Sequence, residues 1–249
     1  MGRYDEMKNR GIGYDYFDHY VTTSAGAFNA CYFLSEQMEE GKRVWLDHLP
    51  KGFWRFFKND MAYLEKILRV IEPLDCKAVV SRRQKIYVSL SNAKTLQADY
   101  RRLDEADDII PILLSSCAMP LLSGSRTLSG IKYYDGGFVA NVPLEKALEF
   151  HSAEIWVIAT RPKGYHHKNL FWKLISVAEL LNRGARKLLY SYPERSDTEM
   201  RLVDSTANLK IIRPERVLPI GVRSTNRFLI SQTFELGRQA AEDFLRKSL

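Results

Sequence analysis

Thr22-Thr23-Ser24-Ala25-Gly26 lies between the apolar-aromatic run Phe17–Val21 and the helix-prone stretch Ala27–Glu40. A serine at a sharp strand-to-helix turn holds its hydroxyl clear of the backbone, beside the positive end of the helix. Such a turn offers a nucleophile in Ser24 and, in the Ala25 N–H, part of an oxyanion site. The pattern departs from the G-x-S-x-G form at its first glycine, where Thr22 stands, and keeps its last in Gly26. Taken alone, Ser24 fits a plain helix N-cap equally well.

A serine nucleophile needs a proton acceptor. The five histidines are His19, His48, His151, His166 and His167, and none has a context that marks it as the partner. The adjacent His166 and His167 lack the acidic or thiol neighbours of a metal-ligand set, so no metal is expected. Asp135 is the better candidate. It follows Ile131-Lys132-Tyr133-Tyr134 and precedes Gly136-Gly137, so the backbone can turn tightly and bring the carboxylate to another loop. A free aspartate titrates at about 3.9 and is a poor base, but burial beside a hydroxyl raises its basicity. Asp-Gly is also a common turn signal, and the dipeptide by itself leaves both readings open.

The elements that must position these residues alternate along the chain. The pattern predicts a short helix over Arg3–Arg10, a strand over Tyr16–Thr23 and a helix over Ala25–Glu40 stopped by Gly41. Lys85–Asn92 alternates as a strand. Asp104–Met119 reads as a helix whose regular part begins near Pro111, with Asp104, Glu105, Asp107 and Asp108 as charges at its N-terminal end. A strand over Ile131–Tyr134 leads to Asp135, followed by a helix over Leu144–Phe150. Glu154–Thr160 reads as a continuous apolar strand, Leu209–Ile212 as a last strand and Asn226–Lys247 as a long terminal helix. This alternation predicts an α/β fold in one domain spanning residues 1–249.

The net charge of +7 favours anionic partners, with plain surface solubility as the simplest account. No zinc-finger spacing or RNA-binding aromatic signature accompanies it, so nucleic acid is not expected. Cys31, Cys76 and Cys117 are an unpaired, widely spaced set, which fits a reducing compartment. With a polar start and no apolar run of membrane-spanning length, the sequence predicts a cytoplasmic protein whose membrane contact is at most peripheral. Phe53, Trp54, Arg55, Phe56 and Phe57 form an aromatic-basic cluster suited to the interface of an anionic bilayer, or else to packing in the core. Nothing in the sequence fixes an oligomeric state.

Four ordered blocks resemble the patatin-like phospholipases. Thr23–Ala30 is similar to that family's serine elbow. Leu114-Ser115-Ser116-Cys117-Ala118-Met119-Pro120 resembles the helix end that precedes its D-G-G block. Tyr133–Gly137 with Asn141–Ala147 resembles the block itself, and Thr160–Tyr165 is similar to a segment of a bacterial subgroup. The resemblance runs from about residue 2 to the C-terminus. It implies a three-layer fold with a mostly parallel central sheet flanked by helices. It also implies a Ser24–Asp135 dyad without histidine that hydrolyses acyl esters of lipids through an acyl-enzyme, with no cofactor.

The resemblance breaks at the start. Members of the family open with a strand and a glycine-rich loop of the type G-G-G-x-R-G that supplies oxyanion donors, whereas Gly2 here aligns within the helix after that loop. Gly11-Ile12-Gly13 does not replace it. The strand leading to Ser24 is therefore expected to have an unpaired edge. Losing one oxyanion donor costs about 2.7–4 kcal/mol of transition-state stabilisation. Three readings follow: a shortened form of a longer active protein, an enzyme with another donor, or a catalytically impaired lipid- or partner-binding protein on the same fold.

Overall fold

The sheet is organised around strand β2, Lys85–Asn92, whose carboxyl half from Val88 to Asn92 is buried. A computed structural model of the chain describes residues 1–50, 61–120, 122–167, 183–221 and 224–248. Strand β1, His19–Thr23, runs parallel to β2 with His19 opposite Lys85 and Thr23 opposite Ser89. Strand β3, Ala98–Arg102, pairs antiparallel with Tyr87–Ser91 of β2. Strand β5, Ile131–Asp135, pairs antiparallel with Leu90–Asn92, placing Asp135 opposite Leu90. Because β3 overlaps both of the other registers, β1 and β5 must share the remaining edge of β2. Their carboxyl ends therefore meet head-on beside Ser89 and Leu90. This junction brings the chain after Thr23 to Asp135.

Strand β4, Arg126–Leu128, forms a hairpin with β5 through Ser129-Gly130. Both turn residues have positive φ, 49° and 79°, the requirement of a twisted two-residue turn. Strands β6, Ile155–Ile158, and β7, Leu209–Ile212, form a separate parallel pair. Among the described residues, β1 pairs only with β2 and β6 only with β7. The facing flanks of β1 and β6 line a cavity of about 380 Å³.

Helices cover both faces of the sheet. Tyr133 packs into the main core with helices α2, Ala25–Leu34, and α6, Ile110–Ser116. Its neighbour Tyr134 points to the opposite face and packs with Phe138 and with Leu188 and Leu189 of α8, Arg183–Ser205. This is the two-residue alternation of a strand buried on both sides. The remaining α-helices among the described residues are α1, Gly2–Asn9; α3, Met38–Arg43; α4, Ala62–Lys66; α5, Cys76–Ser81; α7, Leu144–Leu148; and α9, Arg227–Ser248. The long α9 packs on α1, with Met7, Ile12, Ile212, Ala241 and Leu245 in a shared cluster.

Several boundaries differ from the sequence expectation. The strand before Ser24 begins at His19, because Tyr14–Tyr16 forms a 3-10 turn. The helix expected over Ala25–Glu40 is two helices. The first closes where Gln37 N–H reaches the Tyr32 carbonyl and Glu36 N–H the Phe33 carbonyl, with Glu36 at φ 62°. That is a left-handed helix cap built on glutamate instead of glycine. Gly41 does not stop a helix: it lies inside α3, where a Cβ would collide with Met1 and Tyr32. The apolar run at Glu154–Thr160 is a strand only over Ile155–Ile158 and is half-buried. Asp104 is not a helix N-terminal charge, because it bonds Arg102 and Lys85, whereas Asp108 accepts the Ile110 N–H at the start of α6. The aromatic-basic cluster Phe53–Phe57 lies outside the described residues.

Candidate active site

Ser24 sits at the point where β1 leaves the sheet and α2 begins. Its backbone adopts φ 49° and ψ −130°, a conformation that costs a non-glycine residue about 1–3 kcal/mol. The turn aims the side chain at the junction with β5, and Ser24 Oγ donates to Asp135 Oδ2 at 2.5 Å. The other carboxylate oxygen, Oδ1, accepts the Gly137 N–H at 2.8 Å. The structure thus brings together the two residues singled out from the sequence.

Asp135 is 8% exposed and, among the described residues, has no cation among its hydrogen-bond partners. Burial pushes its carboxyl up from 3.8 to about 6, against the opposing effect of the bonds from Ser24 and Gly137. A carboxylate in this range is basic enough to accept a proton near neutral pH. Its backbone is fixed as well. Asp135 N–H donates to the Ala118 carbonyl at 2.7 Å, and its own carbonyl accepts the Ser91 hydroxyl at 2.6 Å.

The two glycines after Asp135 differ in their reasons. A Cβ on Gly136 would stand 2.1 Å from the Ser89 carbonyl oxygen and 2.7 Å from Thr23 Oγ1, so only glycine fits against the strand junction. Gly137 offers its N–H to Asp135, and a Cβ there would press on the same carboxylate at 3.1 Å. Gly26 is explained otherwise. A side chain at that position would meet nothing within 4 Å, and the residue lines the cavity. Glycine there keeps the space in front of Ser24 open. Thr22, which stands where the elbow pattern has glycine, is accommodated by bonding its hydroxyl to the Tyr87 carbonyl at 3.1 Å.

Cys117 was absent from the sequence-derived site. Its Sγ lies 3.6 Å from Ser24 Oγ. Burial, and then the nearby Asp135 charge, hold its thiol well above the usual range, so it stays protonated. With the serine proton directed at Asp135, the thiol is left as a weak donor to Ser24 Oγ. The signal in the sequence was the small-residue run Ser115-Ser116-Cys117-Ala118 closing an apolar helix.

Ala25 and Gly26 open α2, and their N–H groups have no acceptor within the helix. They border the cavity, with Asn29, Asn141, Thr160 and Arg161 among its polar lining and Phe17, Val142, Leu144 and Trp156 among its apolar lining. The volume is that of a small-molecule site. Gly11-Ile12-Gly13 closes α1 instead, with Ile12 N–H bonded to the Met7 carbonyl. A second carboxyl, the half-buried Glu199, is pushed up to about 7 by desolvation, but it accepts the Val142 N–H and anchors the segment after the glycine pair.

The histidines stand apart from Ser24 in their bonding. His19 stacks on Phe150, His48 bonds Glu72, and His166 and His167 both contact Asp197. His167 is buried. Among the described residues, no group of three or more histidines, cysteines or carboxylates is arranged to hold a metal ion.

The family model described as patatin-like phospholipase matches residues 10–148, more than half of the 249-residue chain, and spans both Ser24 and Asp135. The chain belongs to the patatin-like phospholipase family. A comparison with proteins of curated function returned no match. Among solved structures, the chain is similar to VipD from Legionella pneumophila, with a TM-score of 0.55 over 99% of this chain and 12% sequence identity. At that identity the likeness is one of fold. The chain spans 64% of the length of that structure. Among the described residues, no helix of this patatin-like chain is long and apolar enough to cross a membrane.

Proposed function

We propose that this patatin-like protein is a serine acyl-ester hydrolase acting on lipids, with Ser24 as nucleophile and Asp135 as general base. The reading rests above all on the 2.5 Å hydrogen bond from Ser24 Oγ to the buried Asp135 carboxylate. Ser24 Oγ attacks the ester carbonyl while its proton passes to Asp135 Oδ2. The tetrahedral oxyanion is received by the Ala25 N–H at the start of α2, where the helix terminus favours negative charge. Collapse expels the alcohol, which takes the proton from Asp135 and leaves an acyl group on Ser24. A water molecule then gives a proton to Asp135, attacks the acyl carbonyl and frees the fatty acid, and Ser24 recovers its proton.

The chemistry needs neither a metal nor an organic cofactor. The cavity beside Ser24 would hold the acyl ester, its mixed lining suiting a substrate with an apolar chain and a polar ester end. Contact with an anionic membrane surface would be peripheral and would draw on the net charge of +7.

A fluorophosphonate probe is expected to label Ser24 covalently, with the adduct located by peptide mass spectrometry. Ser24→Ala is expected to abolish labelling and to lower p-nitrophenyl ester hydrolysis by at least about 10³-fold. Hydrolysis unchanged in Ser24→Ala would end this reading.

A further inference from the structure

We propose that Ser116 is a positioning residue that holds Ser24 in its strained conformation, an inference that rests on the reaction proposed above. Where β1 breaks away from β2, the next rung of the ladder cannot form directly. The Ser116 hydroxyl spans the gap. Its Oγ accepts the Ser24 N–H at 2.8 Å and donates its own proton to the Ser89 carbonyl at 2.8 Å. Ser116 is 0% exposed, so water does not compete for either bond.

The same turn of chain also fixes the carboxylate. Two residues on, the Ala118 carbonyl accepts the Asp135 N–H at 2.7 Å. Between them, Cys117 touches Ser24 Oγ. Residues 116–118, where α6 ends and the chain leaves it, therefore bracket both partners of the 2.5 Å bond. The Ser89 carbonyl is the common reference point, being bonded by Ser116 and closely approached by Gly136. Without the bracket, a backbone at φ 49° would relax and carry Ser24 Oγ away from Asp135.

Ser115 provides the internal control. It is equally buried, but its hydroxyl bonds the Pro111 carbonyl within its own helix and touches neither partner. Steady-state ester hydrolysis should be measured for the wild type, Ser24→Ala, Ser116→Ala, Ser116→Thr and Ser115→Ala, with thermal midpoints recorded alongside. Ser116→Ala is expected to lower kcat by about 10- to 100-fold with little change in KM, the scale of a displaced reacting group. It should also move the acid limb of the pH profile upward, because the Ser24 bond that holds down the Asp135 pKa is weakened. Ser116→Thr keeps the hydroxyl and should recover most of kcat. Ser115→Ala should lower the thermal midpoint and leave kcat alone.

A Ser116→Ala protein with wild-type kcat and pH profile overturns the inference, and so does an equal loss of kcat in Ser115→Ala. If the wild type and Ser24→Ala do not differ, the hydrolase reading falls and the inference falls with it. If they differ and Ser116→Ala matches the wild type, only the inference falls.

Discussion

At the amino end of β2, Asp104 accepts hydrogen bonds from Arg102 and Lys85, and its side chain is 13% exposed. The Arg102 guanidinium, with help from Lys85, holds its carboxyl down at about 2. At the carboxyl end, Asp135 is similarly enclosed but, among the described residues, its carboxylate receives a hydroxyl and one backbone N–H, and burial drives it up to about 6. The same residue type is thus a fixed anion in one place and, in the other, a carboxylate basic enough for the proposed role of proton acceptor. What separates them, among the described residues, is the cation partner found at Asp104 and not at Asp135. A carboxylate tied to arginine is too weak a base to take a serine proton, whereas one left with neutral donors is poised to do so.

The comparison is tested most severely by replacing each carboxylate with its amide. Asp135→Asn keeps the shape and removes the proposed base, so ester hydrolysis should fall by about 10²–10⁴-fold. Asp104→Asn should leave turnover at the wild-type rate. Equal losses in both would dissolve the distinction between the two ends.

Stability should move the other way. Asp135 binds its proton more tightly in the folded chain than unfolded, so its contribution is full below about 4 and is lost as pH rises through about 6. The shift from 3.8 to about 6 corresponds to about 3 kcal/mol as an upper bound. Asp135→Asn should therefore be more stable than wild type at pH 8 by up to that amount, and no more stable at pH 4. Urea midpoints at the two pH values measure this. A destabilised Asp135→Asn at pH 8 would mean that the carboxylate is not held under strain.

The smallest effect is expected at the other end. The depressed pKa of Asp104 makes its contribution full above about 4 and lost as pH falls towards 2. Solvent screening reduces this contribution to about 1 kcal/mol. Asp104→Asn should lower the unfolding free energy from urea titration at pH 7 by that amount, and by much less at pH 2.

Much of the fold and the pairing of Ser24 with Asp135 was legible in the sequence, and the illegible part has physical causes. Lys85–Asn92 and Leu209–Ile212 were read at the bounds observed, because β-branched and aromatic residues alternate or run together there. Ser24 and Asp135 were visible through the small residues around them, and Gly136 is forced by its approach to Ser89. The division of the second helix was not legible, since a left-handed cap on Glu36 leaves no glycine or asparagine to mark it. Strand β3, Ala-Asp-Tyr-Arg-Arg, is polar and half-buried and gives no alternation to detect. Ser116 and Cys117 lie far from Ser24 in sequence and close to it only in space. Their roles depend on β1 and β5 meeting end to end, which follows from strand register alone. The cations around Asp104 were equally hidden. Its acidic neighbours pointed to a helix end, while its partners arrive from β2 and β3.

The most direct measurement is the pH dependence of kcat/KM for ester hydrolysis in the wild type, in Asp135→Asn and in five single His→Gln variants. The account predicts a rising limb centred at about 6 that persists in every histidine variant and disappears from the residual activity of Asp135→Asn. A limb that vanishes with one histidine, or survives unchanged in Asp135→Asn, would contradict it.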